Sequence, residues 1–376
     1  MRIAITNPFF WPQVRRGSER FLDDLSRYLA ARGHEVTVLA TDGGGPRPDP
    51  GAPARHLLYP ERRPPAWLGR RFTSAHVYAF QCRRDLARGD FDAVHCLSHF
   101  DAFAAATAGR TGAPFLYHSM GIPLGRYFRT SPLDLVMMRT ALARARTVGV
   151  LSHFAADNLR RDFGVEGRLL PTPVDLDRFR LRADIPRDPA TLLMVGALDE
   201  ARKGAGLMLR AFAEVKRSVP EARLRLSGAI RPSGAAALAA LLPPSIAADV
   251  EFLGMGSPED LPRLYAEATV MVLPSVWEAL GLVLLESLAC GTPVVGANHA
   301  GIPDVIASPE VGVLFEPGAT RPAATNVEGL ARACVEALEL ARRPGTAGAC
   351  RAQAEQFGWP RLGPRFEAVY AGMAGR

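Results

Sequence analysis

The sequence predicts an α/β protein of two Rossmann-like, parallel-sheet domains, and three observations carry that prediction. Short leucine-rich or β-branched runs alternate with helical patterns from end to end, as βαβ units require. At 376 residues the chain exceeds one ordinary core, and at roughly 150 residues per domain it divides into two. The alternation stops and restarts once, in LLPTPVDLDRF (169–179), where Pro171 and Pro173 bracket Thr172 and hold the backbone extended. We place the boundary there, with residues 1–176 as the first domain and 177–359 as the second.

In the first domain the expected strands are 2–6, 35–40, 92–97, 114–119 and 147–152. Between the first two, Phe21, Leu22, Leu25 and Leu29 recur at helical spacing, and Gly33 stands where a C-terminal cap belongs. In the second domain the expected strands are 191–198, 223–228, 250–254, 269–275, 293–297 and 312–315. The helix LMLRAFAEVKR (207–217) joins the first two, with Leu207, Ala211 and Val215 on one face. Trp359-Pro360 breaks the pattern before a terminal helix, 360–376, whose Phe366, Val369 and Tyr370 need a cover. That helix is expected to return to the first domain.

Apolar residues make up 48% and charged residues 22%, enough to fill two cores and leave a soluble surface. The net charge is +7, and the excess lies in residues 1–178, with 25 arginines against 17 acidic residues. No helix-turn-helix, RRM or finger pattern accompanies it, so nucleic acid is not the expected partner. An anionic acceptor or a membrane surface fits the charge, and HLLYPERRPPAWLGRRF (56–72), with Arg pairs among Leu, Trp and Phe, suits a loop facing either. The segment 270–295 is interrupted by Pro274, Glu278, Gly281, Glu286 and Pro293 and cannot span a bilayer. MRIAITNPFFWP is too short in apolar residues for a signal peptide. Five cysteines without C-x-x-C spacing argue against disulfides or a zinc site. A cytoplasmic location is the expectation.

In open parallel sheets ligands bind beyond the carboxyl ends of the strands, and the unusual residues fall there. After the first strand come Arg16, Gly17 and Ser18, which present main-chain N–H groups to an anion or form an ordinary Ser cap. After the first strand of the second half comes VGALDEARKG (195–204). The chain has two lysines, Lys203 and Lys216, against 43 arginines, so Lys203 beside a loop glycine suggests a compact ammonium for a phosphate. In PSVWEALGLVLLESLACGTPVV (274–295), Glu278 and Glu286 stand eight apart. On one continuous helix they would lie about 80° out of phase. A helix starting near Gly281 instead leaves Glu278 on the loop before it and Glu286 one turn inside. A diphosphate then sits on the helix N-terminus and the carboxylates accept from sugar and ribose hydroxyls.

The motifs RGSER, GHEVTVLA, FDAVHCLSH, HSMG (118–121), PTPVDLDRF, VGALDEARKG, EALGLVLLE, ACGTPVV and GIPDVI run through almost the whole chain. Together they resemble the family 4 glycosyltransferases, retaining enzymes of the GT-B architecture, in which two Rossmann-like domains face each other across a cleft. The E-x7-E element and the KG loop are specific to that group and its near relatives. The resemblance implies that Lys203 binds the donor diphosphate, Glu286 the ribose and Glu278 the transferred sugar, with Leu280, Gly281 and Leu282 helping through their backbone. It implies further that the loop around Met255 receives the base, that Gly17 lets backbone approach the phosphates, and that His118 lies beside the anomeric carbon, where its backbone carbonyl would ease the developing positive charge. His118, Lys203 and Glu278 are thus the expected catalytic residues, and Arg16, Ser18 and Tyr127 the acceptor candidates.

Three departures stand out. Arg16-Gly17 replaces the family's paired glycines, Gly196-Ala197-Leu198 lacks the arginine of the usual G-R-L, and Gly228-Ala229-Ile230 replaces G-x-G. Arg16 or Arg202 is the expected substitute for the lost cation. Asp175-Leu176-Asp177 spells a D-x-D but reads as a capped helix start, and Asp90-Phe91-Asp92 as a surface turn. His95, His99 and His153 read as satisfied histidines. The expected reaction is retaining transfer from a nucleoside diphosphate sugar to a hydroxyl acceptor, with no metal and no cofactor. The rivals are a GT-B sugar phosphorylase or epimerase, and a catalytically impaired carbohydrate-binding partner protein.

Overall fold

The computed structural model describes residues 1–14, 16–44, 51–64, 72–109, 112–321 and 323–375. The chain divides into two compact units: Met1–Pro173 with Leu362–Arg376, and Val174–Arg361.

Unit 1 holds seven parallel strands in the order β3-β2-β1-β4-β5-β6-β7. They are β1 (Arg2–Thr6), β2 (Glu35–Asp42), β3 (Arg55–Pro60), β4 (Ala93–Cys96), β5 (Phe115–Ser119), β6 (Thr147–Val150) and β7 (Arg168–Leu169). Its helices are α1 (Gly17–Ala31), α2 (Ser74–Arg88), α3 (His99–Thr107), α4 (Gly125–Arg129), α5 (Pro132–Arg144) and α6 (His153–Phe163). Unit 2 holds six parallel strands in the order β10-β9-β8-β11-β12-β13. They are β8 (Thr191–Val195), β9 (Arg223–Ser227), β10 (Val250–Gly254), β11 (Val270–Leu273), β12 (Val294–Ala297) and β13 (Gly312–Phe315). Its helices are α7 (Ala205–Ser218), α8 (Pro232–Ala239), α9 (Leu261–Glu267), α10 (Leu282–Ala289), α11 (Ile302–Val305), α12 (Val327–Ala341) and α13 (Thr346–Glu355); α14 (Trp359–Ala374) closes the chain. Two doubly wound sheets result, the Rossmann-like arrangement the alternation predicts.

The central strands are apolar on both faces because helices cover both, which is why β8 is buried at all five positions. In α1 the predicted stripe of Phe21, Leu22, Leu25 and Leu29 is buried. Gly33, at φ +80°, takes the left-handed turn beyond the helix end. From Leu362 onward the terminal helix α14 belongs to unit 1, where Phe366, Val369 and Tyr370 are buried. Gly363 permits its approach, since a Cβ there would lie 2.3 Å from the Tyr28 ring.

Several expectations need correction. The HLLYP part of the segment read as a loop is in β3, a parallel neighbour of β2 at the sheet edge. Edge position leaves its side chains only half covered, so its sequence lacks the fully apolar run of a central strand. Residues 65–71 of the same segment, including Trp67, lie outside the described residues. The two-residue β7 carries too little pattern to be seen. Helix α1 begins at Gly17, so Arg16 is its N-cap residue and Ser18 lies inside the first turn. Asp175 accepts from the N–H groups of Asp177 and Arg178 at 3.1 and 3.0 Å, capping an isolated turn with no helix after it. Among the described residues no helix is long and apolar enough to cross a membrane.

Candidate active site

Unit 2 assembles the predicted donor residues around two loops. The first follows β8. It leaves the sheet through Gly196, whose main chain comes so near β9 that a Cβ on Gly228 would lie 1.6 Å from the Gly196 oxygen. It then makes one 3-10 turn, Ala201–Lys203, and ends at Gly204, at φ +80°. A Cβ on Gly204 would lie 3.0 Å from the Pro274 carbonyl. Glycine therefore lets this loop sit directly against the second one, which runs from β11 into α10.

Contact between the loops is polar and specific. The Val276 N–H donates to the Arg202 carbonyl at 3.3 Å, and the Arg202 guanidinium donates to the Trp277 carbonyl at 3.2 Å. Lys203 Nζ donates to Glu278 Oε1 at 2.6 Å, with both side chains mostly buried. Arg202 also lies 3.6 Å from Glu278 and pairs with Glu200 at 2.5 Å. One carboxylate is thus shared by two cations. Of the two arginines expected to stand in for the missing one, Arg202 is the one beside Lys203 within this unit.

Gly281, at φ +94°, is the N-cap of α10. The helix therefore starts where the sequence placed it, with Glu278 on the loop ahead and Glu286 one turn inside. Leu280 is buried, whereas Gly281 and Leu282 open the helix. Glu286 is 2% exposed and accepts from the Tyr265 hydroxyl at 2.8 Å. Ser275, fully buried at the end of β11, has no hydrogen-bond partner for its Oγ among the described residues. Met255 is 62% exposed on the loop after β10.

Sequence reasoning missed the third loop of this site. The Gly301 N–H donates to the Glu278 carbonyl at 2.9 Å, and a Cβ on Gly301 would lie 2.2 Å from the Ala279 oxygen. Gly301 thus fixes the main chain from which Glu278 projects. His299 meets Trp277 edge-on at 5.0 Å between ring centres. The available signal was GIPDVI, a motif to which no role was given. Tyr265 was missed as well, because nothing in sequence spacing ties it to Glu286.

Unit 1 carries the remaining candidates. Glu19, 1% exposed, gathers Arg16 at 2.9 Å and the Ser18 hydroxyl at 3.0 Å. The Arg16 guanidinium lies 5.3 Å from the Phe9 ring centre. No atom lies within 4 Å of a Cβ built on Gly17, so internal packing does not require glycine there. Tyr127 is 63% exposed on α4.

His118 lies elsewhere than a ligand-facing surface: its side chain is completely buried. Its Nε2–H donates to the Leu170 carbonyl at 2.8 Å. That fixes the tautomer, so Nδ1 accepts from His95 Nε2–H at 3.1 Å, and His95 Nδ1 in turn accepts from the Tyr370 hydroxyl at 2.7 Å. Gly149 makes room for the ring, since a Cβ there would lie 2.9 Å from His118 Cδ2. Phe21 and Phe366 wall it at 5.5 and 5.8 Å. Burial holds His95 well below the usual imidazole range and pulls His118 down to about 4. The ring is therefore a neutral core group. His99 lies 3.7 Å from Asp134, and His153 is exposed at the start of α6.

Comparison with known proteins matches residues 15–178 to the Glycosyltransferase Family 4 model and residues 189–339 to Glycosyl transferases group 1. A D-inositol 3-phosphate glycosyltransferase of Frankia alni is 31% identical over 79% of this chain and 81% of its own. The chain belongs to glycosyltransferase family 4. A D-inositol 3-phosphate glycosyltransferase of Rhodococcus opacus is 33% identical over 56% of this chain and 47% of its own, so the chain spans about half the length of that relative and others like it. Sucrose-phosphate synthase from Thermosynechococcus elongatus superposes with a TM-score of 0.81 at 20% identity, over 99% of this chain and 98% of its own. Anabaena HepE in complex with UDP-glucose gives 0.74 at 18%, over 99% and 100%. These likenesses establish the GT-B fold for the family member described here.

Proposed function

We propose that this chain transfers a glycosyl group from a nucleoside diphosphate sugar to a hydroxyl acceptor, with retention and without a metal ion. The observation that carries the reading is the Lys203–Glu278 pair at 2.6 Å, set at the N-terminal end of α10. The donor diphosphate displaces Glu278 from Lys203 and Arg202 and takes both cations together with the free N–H groups of the α10 N-terminus. Glu278, released, accepts hydrogen bonds from the hydroxyls of the transferred sugar. Negative charge grows on the leaving diphosphate as the bond breaks, and these fixed donors stabilise it. Attack comes from the face of departure, with a diphosphate oxygen accepting the acceptor's proton. The loop at Met255 receives the base, and Glu286, held by Tyr265, meets the ribose. In unit 1, Gly17 offers a main-chain approach to phosphate, and Arg16 and Ser18 stand beside it as acceptor contacts with Tyr127. Neither a phosphorylase nor an epimerase reading has an observation of its own here.

The test is a calorimetric screen of UDP-, GDP-, TDP- and ADP-sugars, followed by proton NMR of the product formed from the donor that binds. The expected product keeps the donor's anomeric configuration, and turnover is unchanged by EDTA. Inversion, or activity lost to EDTA and restored by Mg²⁺, overturns the mechanism. Tight donor binding with no transfer to any acceptor leaves only a binding protein.

A further inference from the structure

Three of the seven exposed large hydrophobic side chains among the described residues fall within ten positions: Tyr127, Leu133 and Val136, at 63, 42 and 58% exposure. They sit on α4 and the opening turns of α5, which follow β5 and so begin at the carboxyl edge of the unit 1 sheet. Leu133 and Val136, three apart, share one side of α5. The other side already has its partners, since Met137, Met138, Ala141 and Leu142 are buried. Single apolar residues on a surface are ordinary, but a cluster on a helix whose inner face is filled serves no internal packing.

Charge around the cluster is one-sided. Residues 125–146, GRYFRTSPLDLVMMRTALARAR, hold Arg126, Arg129, Arg139, Arg144 and Arg146 and a single acid, Asp134. Asp134 is turned inward, its Oδ1 2.8 Å from His76 Nε2 on α2. The acid that α6 brings to this segment, Asp162, accepts from the Gly125 N–H at 2.7 Å and pairs with Arg161 at 2.9 Å. Asp157 is held by Arg160 at 2.8 Å, and Arg144 donates to the Ala106 carbonyl at 2.9 Å. The outward face is left apolar and cationic.

We propose that the α4–α5 face docks on an anionic lipid bilayer. Tyr127, Leu133 and Val136 enter the boundary between headgroups and acyl chains, while Arg129 and Arg139, flanking them, meet lipid phosphates. Guanidinium groups suit that surface because their planar fork matches phosphate oxygens. A bilayer here brings a lipid-borne hydroxyl acceptor to the sheet edge from which α1 also starts, at Gly17.

The test is co-sedimentation of the full chain, without donor, with phosphatidylcholine vesicles and with vesicles that also contain phosphatidylglycerol. The full chain is expected to pellet with the anionic vesicles, to stay in solution with the neutral ones, and to detach as salt is raised. Leu133→Ser/Val136→Ser and, separately, Arg129→Gln/Arg139→Gln each weaken binding about tenfold or more with the melting temperature unchanged. Wild-type protein left in the supernatant overturns the proposal. So does binding that both variants retain, which assigns the membrane contact to another surface. A dimer that Leu133→Ser/Val136→Ser turns into a monomer, without vesicle binding, gives the face to a second copy of the chain and overturns it equally. Because no donor is present, these outcomes stand apart from the transferase reading.

Discussion

Two polar clusters in this molecule obey opposite rules. In unit 2, Lys203, Arg202 and Glu278 share charge at the mouth of α10, partly open to water. In unit 1, Tyr370, His95, His118 and the Leu170 carbonyl form a chain in which every ring nitrogen has a partner and every side chain is buried. The first cluster is an ion pair that a stronger anion can replace. The second is neutral, fixed in tautomer and closed. A charged pair partly open to water can exchange partners, whereas a buried chain with every partner filled can only hold its shape.

The largest effect that could break this comparison is at Lys203. Lys203→Ala is expected to lower kcat by two to three powers of ten, about what one preorganised donor to a developing oxyanion supplies. Donor affinity should fall less, because the charge grows as the bond breaks. Steady-state kinetics with the donor found by calorimetry checks this, and an unchanged kcat would remove Lys203 from the chemistry.

The next effect comes from pH. His118, pulled to about 4 against an unfolded value of 6.5, stabilises the fold above pH 6.5, by about 3 kcal/mol, and that contribution drains away as pH falls toward 4. Asp101 acts in the opposite sense. Burial raises it to about 7, so its contribution is present below pH 3.8 and is lost as pH rises through 7. Between pH 4 and 7 the Asp101 slope offsets part of the His118 slope, while His95, also held below the usual imidazole range, adds to the loss on acidification. Denaturant titrations of Asp101→Asn should therefore show a steeper loss of stability on acidification than the wild type shows. Ring proton shifts from His118 should stay unprotonated down to about pH 4, and a midpoint near 6.5 would mean that the ring is not sealed.

A smaller effect sharpens the contrast. Tyr370→Phe deletes the donor at the head of the buried chain and leaves His95 Nδ1 without one, which should cost about 1–3 kcal/mol of stability. Urea unfolding measures it. Loss of less than a few tenths would mean that the chain is not a saturated network.

Much of this was legible in the sequence, for reasons that also mark the limits. Central strands such as β8 and β11 read clearly because burial on both faces leaves an uninterrupted apolar run. Gly281 and the E-x7-E spacing placed the start of α10 because that geometry is local. The edge strand β3 did not read as a strand, since half its surface faces no helix. Ser18 looked like a cap, but Glu19 captures its hydroxyl and the helix starts one residue earlier. His118 was placed beside the anomeric carbon through its backbone carbonyl, and nothing in that reading reached the state of its ring, which is set by His95 and Tyr370, 23 and 252 positions away. Only the fold brings them together. The anchoring of Glu278 by Gly301 is likewise a contact between loops, invisible to spacing.

The buried chain has a consequence for how the protein is made. Its first donor is Tyr370, on a helix translated only after unit 2, and Phe366 from the same helix covers His118. Throughout synthesis, residues 1–173 lack that hydroxyl and that cover, although their seven strands are complete. The unit that begins first is thus finished last, after the whole of unit 2 has been translated. Cutting the gene at the boundary between the units would not liberate an intact N-terminal domain, because the fragment leaves behind the helix that seals it.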